Sequence, residues 1–149
     1  AFPEHLRPLI HLKGRPYQLH VLRLTPGEDV RERLEQWATT QGIEAAAIVS
    51  AVGSLSRAVI RFAGREEGNV TDGDLEICAL SGTLSKHGIH VHLSIADADG
   101  AMRGGHLMMG CTVRTTLELI VQEIGGVRFL RTVDPSTGYK ELDPQTIGP

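Results

Sequence analysis

Val113-Arg114-Thr115-Thr116-Leu117-Glu118-Leu119-Ile120-Val121-Gln122-Glu123-Ile124 is long enough to be drawn as a helix or as a strand. Val113, Thr115, Leu117, Leu119 and Val121 recur at every second position, and the stretch is rich in β-branched residues. That period puts them on one face of a strand, whereas a helix would scatter them around its circumference. Read as a strand, the stretch leaves the chain with a single helix.

The helix lies upstream. Thr25-Pro26-Gly27-Glu28 has the form of a helix start, with Thr25 as cap, Pro26 in the first helical position and Glu28 completing a capping box. Val30, Leu34, Trp37 and Ala38 then form one apolar stripe, and Gly42 suits a left-handed end. The rest reads as strand. Residues 17–24 carry Tyr17, Leu19 and Val21 on one face and Leu22 and Leu24 on the other. Residues 45–52 are a continuous apolar run of the kind buried on both faces, broken by Gly53-Ser54. Residues 58–62, 75–80, 90–96, 129–133 and 139–142 follow, with a hairpin turn at Asp134-Pro135-Ser136-Thr137-Gly138 before the last. One helix against a run of strands predicts an α+β fold. The expected architecture is a single compact domain, a mixed, largely antiparallel sheet wrapped around one main helix. The domain is expected over 15–142, after a proline-containing leader at 1–14 and before a tail at 143–149. Such a sheet has edges, and pairing with other copies is one way to cover them.

Composition sets limits on function. The 149 residues are 41% apolar and 22% charged, an ordinary globular balance. A chain of this size buries enough surface to fold without disulfides or metal. Its formal net charge is −3 and Lys and Arg form no run, so no free-standing basic face for DNA is advertised. Cys78 and Cys111 lie in apolar stretches without a CxxC, which predicts two reduced, buried and unlinked thiols. No signal peptide or long apolar segment appears, so a cytoplasmic protein with no membrane association is expected.

Four of the seven histidines fall between residues 87 and 106. His90 and His92 share a strand face, about 7 Å apart by strand rise. Asp97-Ala98-Asp99-Gly100 turns the chain, and Gly104-Gly105 returns His106 to the pair. Three histidines with one open position is the pattern of a catalytic zinc site, and three imidazoles also suit copper, iron and nickel. His90, His92 and His106 are therefore the candidate ligands of a divalent ion. His87 has the wrong parity and is expected in solvent. Asp97 and Asp99 are expected as turn-formers, with orientation of an imidazole as the other reading. Gly104 and Gly105 either permit a bulge or leave room for something to approach the backbone beside the metal, and Arg103 is either solvated or faces an anion. Glu44, Glu66, Glu67 and Glu76 lie outside the motif, and none is marked as a general base.

The run from His90 to Gly100, followed by Arg103-Gly104-Gly105-His106-Leu107, resembles the plants and prokaryotes conserved (PPC) domain family. Residues 24–29, 50–55, 80–84 and 134–142 agree as well, so the resemblance spans about residues 15–142. It implies an α+β homotrimer carrying a metal, zinc in the first instance, on His90, His92 and His106. It also implies association with DNA, because plant relatives join this domain to AT-hooks, although those relatives lose the histidines. The hook core is Arg-Gly-Arg-Pro; this chain has Lys13-Gly14-Arg15-Pro16, poorly flanked and read as a turn. A more distant, fold-level similarity is to acetolactate decarboxylase, in which an H-x-H pair and a later histidine hold zinc.

Two functions are thus expected. One is a metal-binding homotrimer associated with DNA or a DNA-associated protein. The other is a zinc-dependent hydrolase or lyase, its three-histidine site acting on a small-molecule carbonyl or ester.

Overall fold

The computed structural model describes residues 9–148. Its elements are β1 (Arg15–Leu24), α1 (Val30–Thr40), β2 (Ala46–Arg61), β3 (Asn69–Ser85), β4 (Gly88–Ala96), β5 (Met102–Leu107), β6 (Thr112–Gly125), β7 (Val127–Val133) and β8 (Lys140–Thr146). The sheet runs β1-β6-β2-β3-β4-β5, and β7 and β8 form a separate hairpin. Every pairing between these strands is antiparallel. This is the α+β architecture expected, one helix against a largely antiparallel sheet. The first eight residues of the leader and Pro149 of the tail lie outside the described residues.

The stretch 113–124 is strand, with Val113, Leu117, Leu119 and Val121 buried. The helix starts later than its capping signature suggests. Glu28 reaches back to the Thr25 amide at 2.7 Å, but the pair closes a turn, with the Glu28 amide on the Thr25 carbonyl at 3.2 Å. Gly27, at φ +90°, cannot continue a helix from there. The cap is Asp29, which accepts from the Glu32 amide at 2.9 Å and from the Gly110 amide. Asp29→Ala should therefore cost about 1–2 kcal/mol in urea denaturation; an unchanged midpoint would contradict this role. At the other end Gly42 sits at φ +63°, with its amide on Thr39 and that of Ile43 on Ala38. This paired arrangement satisfies the last carbonyls. Val30, Leu34 and Ala38 are buried where α1 packs over β3 and β4.

Two strand expectations need correction. Gly53-Ser54 does not break a strand: β2 continues through it for 16 residues. A Cβ on Gly53 would lie 2.2 Å from the Thr116 carbonyl oxygen, so glycine there allows β6 to approach. Nor are residues 45–52 buried on both faces, since Val49 and Val52 are bare on the outer side of this chain. Tyr17, Leu19 and Val21 are bare as well. Cys78, expected to be buried, is exposed, while Cys111 is buried and both are free. Cys78 follows the buried Ile77 and so points outward by strand alternation. The β3–β4 register then shifts between Ile77 and Ala79, and this one-residue bulge changes the parity, so that Leu75, Ile77 and Leu80 all face the core. Lys13-Gly14-Arg15-Pro16 is not a turn; Arg15 and Pro16 open β1.

The site depends on one further pairing. The end of β2 meets β5, with Ile60 opposite Leu107 and Arg61 opposite His106. That contact closes β2, β3, β4 and β5 into a ring.

Candidate metal centre

β4 alternates strictly where it matters. Val91, Leu93 and Ile95 are buried, and His90 and His92 stand on the opposite face. The apolar half of the strand thus fixes the direction of the imidazoles, because a slip of one residue would bury them. β5 pairs with β4 without a register shift and sets His106 opposite His92. Opposed residues share a face. The ring centroids are 5.2 Å apart for His90 and His92, 5.5 Å for His90 and His106, and 6.2 Å for His92 and His106. One nitrogen from each lies within 4.8 Å of the others. Three nitrogens on a tetrahedral zinc stand about 3.4 Å apart, so modest ring rotations could bring all three onto one ion.

A ligating imidazole must be neutral. Burial, then Arg131 and His92, lower the pKa of His90. Burial, then Arg61 and Arg31, bring that of His106 down to about 4. Both therefore favour the state that offers a lone pair, and the donor set fits a divalent ion. The same shift couples to stability. The folded metal-free protein resists protonating His106, whereas an unfolded histidine takes a proton near pH 6.5. Stability from this group is complete above pH 6.5 and is lost as pH falls towards 4. Urea denaturation of metal-free protein should show that loss, and His106→Gln should flatten it. An equal slope in the variant would count against the assignment.

His87 is exposed, as expected, and 3.4 Å from Glu44. Lys86 and Arg128 hold the same carboxylate at 2.7 and 2.6 Å. Burial works to raise the Glu44 carboxyl, but hydrogen bonds from Lys86, Arg128 and His87 outweigh it and bring it to about 2. Asp97 is a turn-former: its carboxylate accepts the Asp99 and Ala101 amides at 2.9 and 3.0 Å. Gly105 answers to the second of its expected readings, room for a close approach to the backbone beside the histidines. A Cβ there would lie 2.5 Å from the Arg61 carbonyl oxygen, so the group that approaches it is β2 itself. Arg103 is exposed, with Thr71 3.5 Å from its guanidinium.

The arginines beside the histidines are others, which local sequence did not reveal. Arg61 arrives by the β2–β5 register, and Arg31 on α1 lies 3.4 Å from His106 Nε2 while donating to the Leu107 carbonyl at 2.9 Å. Arg131 on β7 donates to Thr83 at 2.7 Å. All three line a cleft of about 720 Å³ that also contains His90 and His106. Of the four glutamates in question, Glu66 lies in this cleft, together with Glu35 and Glu141.

The profile of the Plants and Prokaryotes Conserved (PCC) domain matches residues 11–125. The chain belongs to this family. Among solved structures, a protein from Salmonella cholerae-suis is 38% identical at TM-score 0.88, the match covering 91% of this chain and 98% of that one. A metal-containing protein from Archaeoglobus fulgidus is 30% identical at TM-score 0.76, covering 90% and 99%. A bifunctional protein GlmU from Synechococcus is 44% identical over 95% of this chain but only 24% of its own length. AT-hook motif nuclear-localized protein 8 of Arabidopsis thaliana is 29% identical over 72% of this chain and 30% of its own. The PCC domain here thus spans between 21% and 30% of the curated relatives it matches. No helix among the described residues is long and apolar enough to cross a membrane.

Proposed function

We propose that this PCC domain is a metal-binding homotrimer that works in the cytoplasm in association with DNA or a DNA-bound protein. Zinc is the proposed metal. The observation that carries the metal is the convergence of three imidazole nitrogens within 4.8 Å on one face of the paired strands β4 and β5. The metal-containing Archaeoglobus relative supports it. Elemental analysis of protein purified without an affinity tag tests it: zinc bound stoichiometrically is expected, and a metal-free protein that takes up no ion on dialysis overturns it. The trimer is supported by the bare apolar residues of β1 and β2, which another copy would cover. Light scattering showing a monomer at micromolar concentration would exclude it. The DNA association is supported by the AT-hook relatives. With a net charge of −3, the chain is expected to reach DNA mainly through a partner. A mobility shift on random duplex at low salt should be weak, and strong salt-dependent binding would instead assign the contact to this domain.

A second reading is a zinc-dependent hydrolase or lyase. It is favoured by the cleft, where Glu35, Glu66 and Glu141 lie with His90 and His106 and supply candidate proton carriers. A bound zinc would polarise a carbonyl there.

A further inference from the structure

The cleft is cationic in an acidic chain. Arg31, Arg61, Arg65, Arg131 and Lys140 line it against three carboxylates. The net charge of the whole protein is −3, so this concentration of cations is local. Three of the arginines converge on the histidine face from three different elements. Arg61 comes from β2, opposite His106. Arg31 comes from α1, with its Nε paired to Glu35 at 3.0 Å and its Nη1 3.4 Å from His106 Nε2. Arg131 comes from β7, and its guanidinium is only partly satisfied: Nη2 donates to Thr83, while the buried Nε has no partner among the described residues. Arg31 is offset by Glu35, but among the described residues neither Arg61 nor Arg131 forms an ion pair, and holding these two cations beside the histidines is electrostatically unfavourable. A small oxyanion would offset that cost, because each guanidinium presents paired donors matched to a carboxylate or phosphate.

We propose that this cleft is a receptor for a small oxyanion, a carboxylate or phosphate compound, held by Arg31, Arg61 and Arg131 with one oxygen directed at the open position of the histidine centre. The volume, about 720 Å³, suits a metabolite-sized ligand. The recessed shape and the carboxylates of Glu35, Glu66 and Glu141 disfavour a polyanion such as DNA in the same place. Only the last contact rests on the metal reading; the arginine grip does not.

The test is calorimetric titration of the full chain with malonate and with inorganic phosphate, with metal content measured on the same samples. At least one of the two should bind once per chain. Arg61→Gln and Arg131→Gln should each weaken binding about tenfold or more, the cost of losing a hydrogen bond to a charged group. Circular dichroism confirms that both variants fold, and two variants on different strands guard against one of them failing. Arg57→Gln, an exposed arginine paired with Asp72, should leave binding unchanged. Binding of neither anion, or equal binding by the arginine variants, overturns the proposal whatever the metal content. Displacement of the bound anion by duplex DNA also overturns it. Arginine-dependent binding to a protein that takes up no metal would sustain this proposal and sink the metal reading.

Discussion

Replacing His90, His92 or His106 with alanine should each reduce metal affinity about a hundredfold or more. Losing an outer hydrogen-bond partner of a ligand already costs roughly 10–100-fold, and removing a ligand costs more. Two remaining imidazoles cannot compete with water and buffer for a divalent ion. His87→Ala should keep full metal, because His87 is engaged by Glu44 and stands outside the cluster. All four variants should remain folded, because the core is filled by Leu, Ile, Val and Ala side chains on the other side of the strands. Metal content per chain, with circular dichroism on the same samples, decides the matter. Folded His90 and His106 variants with full metal would eliminate the three-histidine centre, and loss from the His87 variant would show that the turn before β4 joins it.

Gly105→Ala should damage fold and site together. Its Cβ would stand 2.5 Å from the Arg61 carbonyl oxygen and 2.9 Å from Ile60 Cγ2, and neither strand can yield without parting β2 from β5. Overpacking of this kind costs about 1–3 kcal/mol. Because His106 follows directly in the chain, the same displacement should lower metal affinity. Gly64→Ala makes a useful contrast: no atom lies within 4 Å of its Cβ, but its φ of +74° adds local backbone strain. It should lower stability without touching the metal. If Gly105→Ala melts and binds metal like the parent, β5 is not held as described.

Much of this was legible in the sequence because it rests on period. Alternation identified β6 as strand, and the same two-residue period put His90 and His92 on one face. What stayed hidden depends on register and bulges, which no local pattern encodes. The burial of Leu80 on the same side as Leu75 and Ile77 follows from one extra residue in β3. The placement of Arg61 beside His106 follows from a crossing between strands 45 residues apart in the chain, reading 61 against 106. Arg31 and Arg131 come to the cleft from a helix and a separate hairpin, and composition marks neither. The helix start was displaced because the signature at Thr25 and Glu28 serves equally well to close a turn, and only the left-handed Gly27 separates the two outcomes.

The contact between the end of β2 and β5 also bears on how the molecule breathes. A strand with one neighbour can peel away alone, exchanging its amide protons by local fraying. β1, paired only with β6, is free to do so. β5 is not, because at its His106 end it is bonded to β4 on one side and β2 on the other. Its amides there exchange only when two ladders part at once. The histidine face therefore belongs to the slowly opening portion of the domain, and its geometry persists while the periphery fluctuates.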